Sequence, residues 1–547
     1  MLNTLQKANI PTTFLFLQTM SDKKPIIIGS RGSDLALWQA NFVKDRLTEL
    51  GEKVEIKIIK TQGDKIQHLS FDKMEGKGFF TKEIEAELID GNIDLAVHSH
   101  KDLETTNPEG LTIAAVSSRA NPADLLLINP DSVKDKLQFQ LKPNPVVGTS
   151  SARRKAQLLF FRPDAKIKDL RGNVPTRIQK LKDGQYDAIL IAKAGIDRLN
   201  IDLSDLHVYE MDPTAFIPAP AQGVLGLQVR SEDKKLIETL QSLNDEEVSA
   251  RISVERQVLK LMNGGCQMPL GVYCTKEDDE YLIYSALADA WDAPLRRDFV
   301  ETKSLEGVAE GIAKRLQLKE RKRSVFISRA LPDDSLIKKL LSNMGVRLID
   351  STLIQSEALS FAYDNDPDWI FFSSRNAVHY FFGQHKPSSK SKMAALGKGT
   401  ADELSRYTKV DFSGSGADTR AIAESFKEKV GDGTVMFPQS KQSLRSIQSV
   451  FPDDQVENVV CYQTLADPKP VHEDVLFFTS PSNTSAFLMM NDIEPHQLVV
   501  GMGASTSNFM KERGHTVVAT PRNYSDLAIL DAILYALSLD EPVSEDV

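Results

Sequence analysis

The sequence predicts an α/β protein of several domains, and three observations carry this. At 547 residues the chain is too long for one ordinary core, so roughly three to five domains are expected. From residue 26 onward, short β-rich runs alternate with segments of helical spacing, the pattern of mostly parallel sheets covered by helices on both faces. Further on the chain repeats itself: "DWIFFSSRNAV" from Asp368 and "DVLFFTSPSNT" from Asp474 stand 106 residues apart.

The elements follow in order. "PIIIGS" is a β-rich run, and "RGSDLALWQANFVKDRLTELG" places Leu35, Trp38, Phe42 and Leu47 close to helical spacing before Gly51 as a stop. "KVEIKIIKT" alternates as a strand. "TKEIEAELIDG" sets Ile84 and Leu88 on one helix face, and "IDLAVHSHKD" is a strand entering a polar loop. "PVVGTSSARRKAQLL" reads as strand, Ser N-cap and helix, and "YDAILIAKAG" as strand and turn. The basic run "LKERKRS" and the new strand "VFISRA" put a domain boundary at about 317–324. Beyond it, Gly397 and Gly503, and Thr400 and Thr506, keep the 106-residue register. One register held over two segments predicts two similar α/β half-domains.

Composition narrows the class. With 41% apolar and 26% charged residues the chain is globular. Its net charge of −10 gives no global attraction to nucleic acid or anionic membrane, so any anion site must come from local arginine clusters. Cys266, Cys274 and Cys461 form no disulfide framework and no CxxC, and the nine histidines show no metal-ligand spacing. No metal is expected, and the natural compartment is a reducing cytosol. No apolar run is long enough to span a bilayer. Residues 1–22 read as a dispensable extension, with Met20 a second possible start, and 541–547 as an acidic tail.

Several residues stand out for chemistry. "VHSHKDLET" delivers His98, Ser99, His100, Lys101 and Asp102 to a strand end. There Asp102 fits a solvated pair with Lys101 or a carboxylate held near a developing cation. Arg153 and Arg154 fall in the first turn of a helix, the wrong end for cations in the helix dipole. A bound anion would reverse that disadvantage. Arg171, Arg177, Arg198, Arg31 and Ser33 recur at similar loops, and Lys73 and Lys77 lie in a glycine-rich segment without Walker spacing. In "MNGGCQMPLG", two glycines strip bulk from around Cys266, which suits a thiol reached by something large or a tight turn that carries a cysteine.

The motifs "RGSDLALWQA", "TQGD", "GKGFFTKEIE", "VHSHKD", "GTSSARR", "LRGNVPTR", "IPAPAQGVLGLQVR" and "NGGCQMPLG" resemble, in order, those of hydroxymethylbilane synthase, also called porphobilinogen deaminase, over about residues 25–318. Residues from about 324 to 538 resemble uroporphyrinogen-III synthase more loosely, through "FFSSRNAV", "CYQT", "FFTSPS" and the glycine-Thr turn before "KERGH". The resemblance implies a fusion of two consecutive enzymes of tetrapyrrole synthesis. The fold it implies is two periplasmic-binding-protein-like α/β lobes (about 23–120 with 216–238, and 121–215) plus a small α/β domain (239–318). A two-lobed α/β synthase region follows (323–540).

The resemblance also implies roles. Cys266 would hold a dipyrromethane cofactor through a thioether. Asp102 would stabilise the azafulvene cation formed as ammonia leaves. Ser99, Lys101, Ser150, Arg153, Arg154 and Arg171 would hold the cofactor. Arg31, Ser33, Lys73, Lys77, Arg177 and Arg198 would meet the substrate's acetate and propionate groups. Tyr462 would assist hydroxyl departure in the second reaction, with Ser374, Ser480, Ser482 and Thr506 lining its cleft. The partners implied are porphobilinogen and hydroxymethylbilane, acting on a cytoplasmic monomer. His100 and Glu104 depart from the family pattern; His100 is expected to be a satisfied loop histidine. A polycarboxylate-binding protein, a non-catalytic C-terminal region, and more distantly a pyridoxal enzyme using Lys101, are the competing readings.

Overall fold

The structure is a computed structural model that describes residues 24–61, 81–265, 267–362, 366–388, 390–414, 419–443 and 445–539. Cys266, Lys73 and Lys77, like the extension 1–22 and the tail 541–547, lie outside the described residues. The chain divides into two units. The first takes in residues up to Arg323 with Asp333–Arg347 and the segment from Pro521; the second is Ser324–Pro332 with Leu348–Thr520.

The first unit opens with β1 (Ile26–Ser30), α1 (Asp34–Glu49), β2 (Val54–Ile58), α2 (Lys82–Ile89), β3 (Leu95–Ser99) and β4 (Leu111–Val116). The chain then crosses to a second sheet. It builds β5 (Asp124–Ile128), β6 (Val146–Gly148), α3 (Ala152–Phe161), β7 (Lys166–Lys168), α4 (Val174–Lys182), β8 (Ala188–Ala192), α5 (Lys193–Leu199) and β9 (His207–Glu210). It returns as β10 (Leu225–Arg230), followed by α6 (Lys234–Gln241). The sheet orders are β2-β1-β3-β10-β4 and β7-β6-β8-β5-β9.

Both sheets are mixed, not mostly parallel. β10 runs antiparallel to β3 and β4, and β5 antiparallel to β8 and β9. β5 and β10 are the strands at the two crossings, and each runs against both of its neighbours. On α1 the core face is Gln39, Ala40, Val43 and Leu47. Trp38 and Phe42, expected on that stripe, are half-buried and stack on each other at 5.4 Å. Val43 and Leu47 pack on Ile28, Leu95, Val97, Leu225 and Leu227, which fixes β1 and β3 side by side.

A third sheet follows: α7 (Glu246–Leu261), β11 (Leu270–Glu277), β12 (Glu280–Leu287), β13 (Arg296–Thr302) and α8 (Val308–Gln317). Asp245 caps α7, and Glu246 and Glu247 occupy its first turn, charges that suit a helix N-terminus. The sheet is antiparallel, and Val272 and Ile283 pack on Val254, Val258, Ile312 and Leu316 of α7 and α8.

The second unit starts with β14 (Val325–Ile327); α9 (Leu336–Asn343) then belongs to the first. β15 (Leu348–Asp350), β16 (Ile354–Ala358), β17 (Trp369–Phe372), α10 (Arg375–Phe382), β18 (Lys392–Ala395), α11 (Lys398–Leu404), β19 (Phe412–Ser413) and α12 (Thr419–Val430) follow. Next are β20 (Val435–Ser440), β21 (Val456–Ala466), β22 (Val475–Phe478), α13 (Pro481–Leu488), β23 (Leu498–Gly501), α14 (Ala504–Lys511) and β24 (Val517–Ala519). α15 (Asp526–Ser538), the last described helix, falls in the first unit. The sheets are β15-β14-β22-β23-β24, all parallel, and β16-β21-β20-β17-β18-β19, parallel except for the β16–β21 pair. The repeat is structural: β17-α10-β18-α11 and β22-α13-β23-α14 begin at positions 106 apart, element by element. Among the described residues no helix is long and apolar enough to cross a membrane.

Candidate active site

In the first unit the site is built from loops at the carboxyl ends of parallel strands, where α/β sheets bind ligands. β1 and β3 are parallel neighbours, so Arg31–Ser33 and Ser99–Asp102 emerge at one edge. β6, β7 and β8 are parallel too and deliver Thr149–Arg154, Asp169–Arg171 and the α5 residues.

β3 is buried as far as His98. His98 Nε2 pairs with Gln228 Oε1 at 3.1 Å, and burial pushes its pKa down to about 4. Ser99 Oγ accepts from Gln39 Nε2 at 2.9 Å. The chain then makes a 3-10 turn over His100–Asp102, pinned by the His100 N–H donating to the Val224 carbonyl at 2.9 Å. The turn points Lys101 inward, where its Nζ donates to Gln222 Oε1 at 3.1 Å, and leaves Asp102 exposed. Burial pulls the Lys101 ammonium down to about 8; Asp102 and Asp124 hold it up, and Arg154 and Arg153 push it lower.

His100 is not the satisfied loop histidine expected. Its Nδ1 is buried with no hydrogen-bond partner, and burial, then the charge of Arg256, lowers its pKa to about 4. The ring fits because position 226 is glycine: a Cβ there would lie 3.1 Å from His100 Cδ2.

The arginine pair at the start of α3 has a protein partner that its sequence position concealed. Asp124, fully buried on β5, accepts from Arg153 Nη1 at 2.7 Å, from Arg154 Nη2 at 2.7 Å and Nε at 3.1 Å, and from Gln222 Nε2 at 3.0 Å. Burial raises the Asp124 carboxyl, but the two guanidiniums outweigh it and hold the group well below the usual carboxylate range. Arg153 Nη1 and Arg154 Nη1 also donate to the carbonyls of Ile217 and Leu190. Arg153 Nε remains buried without a hydrogen-bond partner.

The other predicted residues divide. Ser150 Oγ donates to the Leu170 carbonyl at 3.0 Å and accepts from its N–H at 3.1 Å. It ties the β6 loop to the one before Arg171. Ser151 caps α3. Ser33 holds the N-cap position of α1 but makes no side-chain cap bond. Arg177 Nε donates to the Gly172 carbonyl at 2.7 Å; burial and the charges of Arg154 and Arg171 lower it to about 10, with Asp102 opposing. Arg198 donates to the Gly223 carbonyl at 2.7 Å and lies over the Trp38 ring. Burial lowers it to about 10. Lys101, Arg153, Arg154, Arg171 and Arg177 thus lie within reach of one another's charge, with Asp102 and Asp124 among the carboxylates that oppose it.

Sequence reasoning missed Asp124, Gln222, Arg119 and Glu255. Gln222 joins Lys101 to Asp124, and its carbonyl accepts from Arg119 Nε at 3.1 Å. Arg119 grips buried Glu255 on α7 through bonds of 2.6 and 3.2 Å, and Glu255 also accepts from the N–H groups of Ala221 and Cys274. Only Gln222 carried a signal, its place in "IPAPAQG". Cys274 and Cys461 are buried thiols.

In the second unit, Ser374 and Ser480 are equivalent N-caps of α10 and α13. Tyr462 on β21 reaches Ser374 Oγ at 3.2 Å and stacks on Tyr380. Burial raises its phenol, with the Ser374 bond opposing. Thr506 is buried in α14 and Ser482 is exposed; of the predicted set, the structure brings Tyr462 and Ser374 into contact. Among the described residues no group of three or more His, Cys, Asp or Glu could hold a metal.

Residues 26–238 match the family model "Porphobilinogen deaminase, dipyromethane cofactor binding domain", and 249–293 "Porphobilinogen deaminase, C-terminal domain". Residues 337–531 match "Uroporphyrinogen-III synthase HemD". The chain is 44% identical to the porphobilinogen deaminase of Nitratiruptor sp. over 262 residues, 48% of this chain and 82% of the relative. It is 40% identical to that of Clostridium novyi over 292 residues, 53% of this chain and 95% of the relative. Among solved structures, the uroporphyrinogen-III synthetase of Helicobacter pylori is 18% identical, with 39% of this chain and 98% of that one covered and a TM-score of 0.31. An excess of guanidiniums with an unpartnered Nε at Arg153 is a donor set that fits a cofactor bearing several carboxylates. The chain belongs to the porphobilinogen deaminase family, with a dipyrromethane cofactor domain joined to a uroporphyrinogen-III synthase region, and is a bifunctional enzyme of tetrapyrrole synthesis.

Proposed function

We propose that the first region joins four porphobilinogen units head to tail, releasing ammonia, with Asp102 as the catalytic carboxylate. The second region then closes the hydroxymethylbilane product to uroporphyrinogen III. The observation that carries the first assignment is the cationic cluster beside Asp102: Lys101 and Arg177 both feel its charge, Arg153, Arg154 and Arg171 lie in the same field, and Asp124 is already committed to Arg153 and Arg154. Such a site attracts poly-acids, and the exposed carboxylate in it faces whatever positive charge develops on the substrate.

The dipyrromethane supplies the covalent attachment point for the growing chain. Cys266 would carry it, and Lys101, Arg153, Arg154 and Arg171 would hold its acids. Ser99 and Ser150 shape the loops around it, because their hydroxyls are spent on Gln39 and Leu170. Arg31, Ser33, Arg177 and Arg198 would bind the incoming substrate's carboxylates, with Lys73 and Lys77. Lys101, at about 8, keeps most of its charge at neutral pH while Gln222 orients it. In the second region Tyr462, polarised by Ser374, would donate to the departing hydroxyl; Ser480, Ser482 and Thr506 complete that proposal. The subdivision into lobes 23–120 with 216–238, 121–215 and a cofactor domain 239–318, before a synthase region 323–540, belongs to the same reading, as do a monomeric state and a cytoplasmic setting.

Intact mass tests the assignment. The purified protein should be heavier by two pyrrole units, and Cys266→Ser should lack that mass and turn over no porphobilinogen. A polycarboxylate-binding protein would carry no added mass. Feeding porphobilinogen and identifying the macrocycle tests the second activity: mostly type I product would refute it.

A further inference from the structure

The β11-β12-β13 sheet has two faces. One rests on α7 and α8. The other carries Leu282, Tyr284, Ala286, Arg297 and Phe299, all buried. At the β13 edge this second face is covered by α15, which lies more than two hundred residues further along the chain.

α15 is apolar almost all round: Ile529, Leu530, Ala532, Ile533, Leu534, Ala536 and Leu537 are buried. Such a helix belongs inside a protein. Its one charged residue after the first turn, Asp531, is 8% exposed and aims at Arg297, which is 3% exposed. The contact is bidentate: Nε to Oδ1 at 2.8 Å and Nη2 to Oδ2 at 3.0 Å. Arg297 Nη2 also donates to the Thr214 carbonyl at 2.7 Å, and the guanidinium lies over the Tyr284 ring.

Two further ties hold the neighbouring segments. Arg522 pairs with Glu277 on β11 and Glu301 on β13, where Glu280 stands beside Glu301. From α9, Asn343 Nδ2 donates to the Leu295 carbonyl at 2.8 Å. A buried ion pair adds little net stability over an apolar contact, but it specifies one partner and one register.

We infer that the segment Pro521–Leu539 is a structural part of the porphobilinogen deaminase region: it completes the sheet that follows Cys266, so the deaminase of this chain depends on residues far outside its own family match. This rests on the family assignment of the first region and not on the roles proposed for its site residues. Without the segment, β13 loses its cover, Arg297 loses its counter-charge, and Glu277 and Glu301 are left without Arg522.

The test uses the full-length protein carrying its cofactor, read by amide hydrogen exchange in β12 and β13 and by the temperature at which deaminase activity is lost. Asp531→Asn should raise exchange in those strands on the order of a hundredfold, as breaking one side of a buried pair does, and lower the inactivation temperature. Low-temperature turnover should stay unchanged. The paired replacement Arg297→Met with Asp531→Leu should restore most of the protection, because apolar partners substitute well for a buried pair. Arg522→Glu, at a partly exposed site, should raise exchange in β11 and β13 severalfold; it also serves if Asp531→Asn does not fold. Unchanged protection in β11–β13 and an unchanged inactivation temperature, in Asp531→Asn or in Arg522→Glu, would overturn the inference.

Discussion

Asp124→Asn isolates the contribution of one buried carboxylate to the first unit. The native group is fully buried and accepts from Arg153, Arg154 and Gln222, with three contacts between 2.7 and 3.0 Å and one at 3.1 Å. Asparagine keeps the shape and one acceptor but leaves two adjacent guanidiniums without an anion. Removing one side of such a buried pair costs about 3–5 kcal/mol. At neutral pH, amide exchange in β5 and β8 should therefore rise on the order of a hundred- to several-thousandfold.

The pH dependence gives a second reading. Because the folded pKa of Asp124 is depressed, its stabilisation is complete above the ordinary carboxylate value of about 4. It is lost as pH falls through the folded value. The variant lacks that acid-limb loss. It also removes one of two carboxylates that sustain the charge on Lys101, so the Lys101 ammonium should release its proton below about 8. A loss of stability under about 1 kcal/mol, the scale of an exposed pair, would refute the argument that this cluster is buried and coupled.

Other outcomes follow from the same chemistry. Asp102→Asn should lower deaminase turnover on the order of a hundredfold or more with little change in KM, as initial rates will show; near-normal turnover would remove Asp102 from the mechanism. His98, held neutral by burial at about 4 against 6.5, binds fewer protons folded than unfolded. Stability is therefore full above pH 6.5 and falls by about 3 kcal/mol on the way to pH 4. His98→Gln should flatten that limb in an acid titration of near-ultraviolet circular dichroism. Tyr462→Phe should lower formation of uroporphyrinogen III on the order of a hundredfold and leave the deaminase rate alone; an unchanged isomer ratio would place Tyr462 in the packing only.

The alternation of strand and helix was legible because apolar periodicity is a local property of the chain. The 106-residue repeat was legible for the same reason: "WIFF" and "VLFF" each form a buried strand, and each is followed by a serine that caps a helix. Arg153 and Arg154 could be recognised as anomalous, since the helix dipole disfavours cations at that end. Their immediate partner could not. Asp124 is 29 residues from Arg153, and nothing local marks it. The expectation of mostly parallel sheets failed at β5 and β10, because strand direction after a crossing depends on where the chain re-enters.

By itself, then, the amino-acid order determined the element types, the duplication, the family motifs and the recurrence of arginines at strand-to-helix loops. Those are matters of short-range spacing and residue chemistry. Tertiary structure alone decided which charges neutralise one another: Asp124 with the arginine pair, Glu255 with Arg119, Asp531 with Arg297. It also decided that α15 serves the first unit's sheet. Ion pairs between segments 29 to 234 residues apart are set by how sheets are crossed and stacked, and that geometry leaves no trace in any window of the chain.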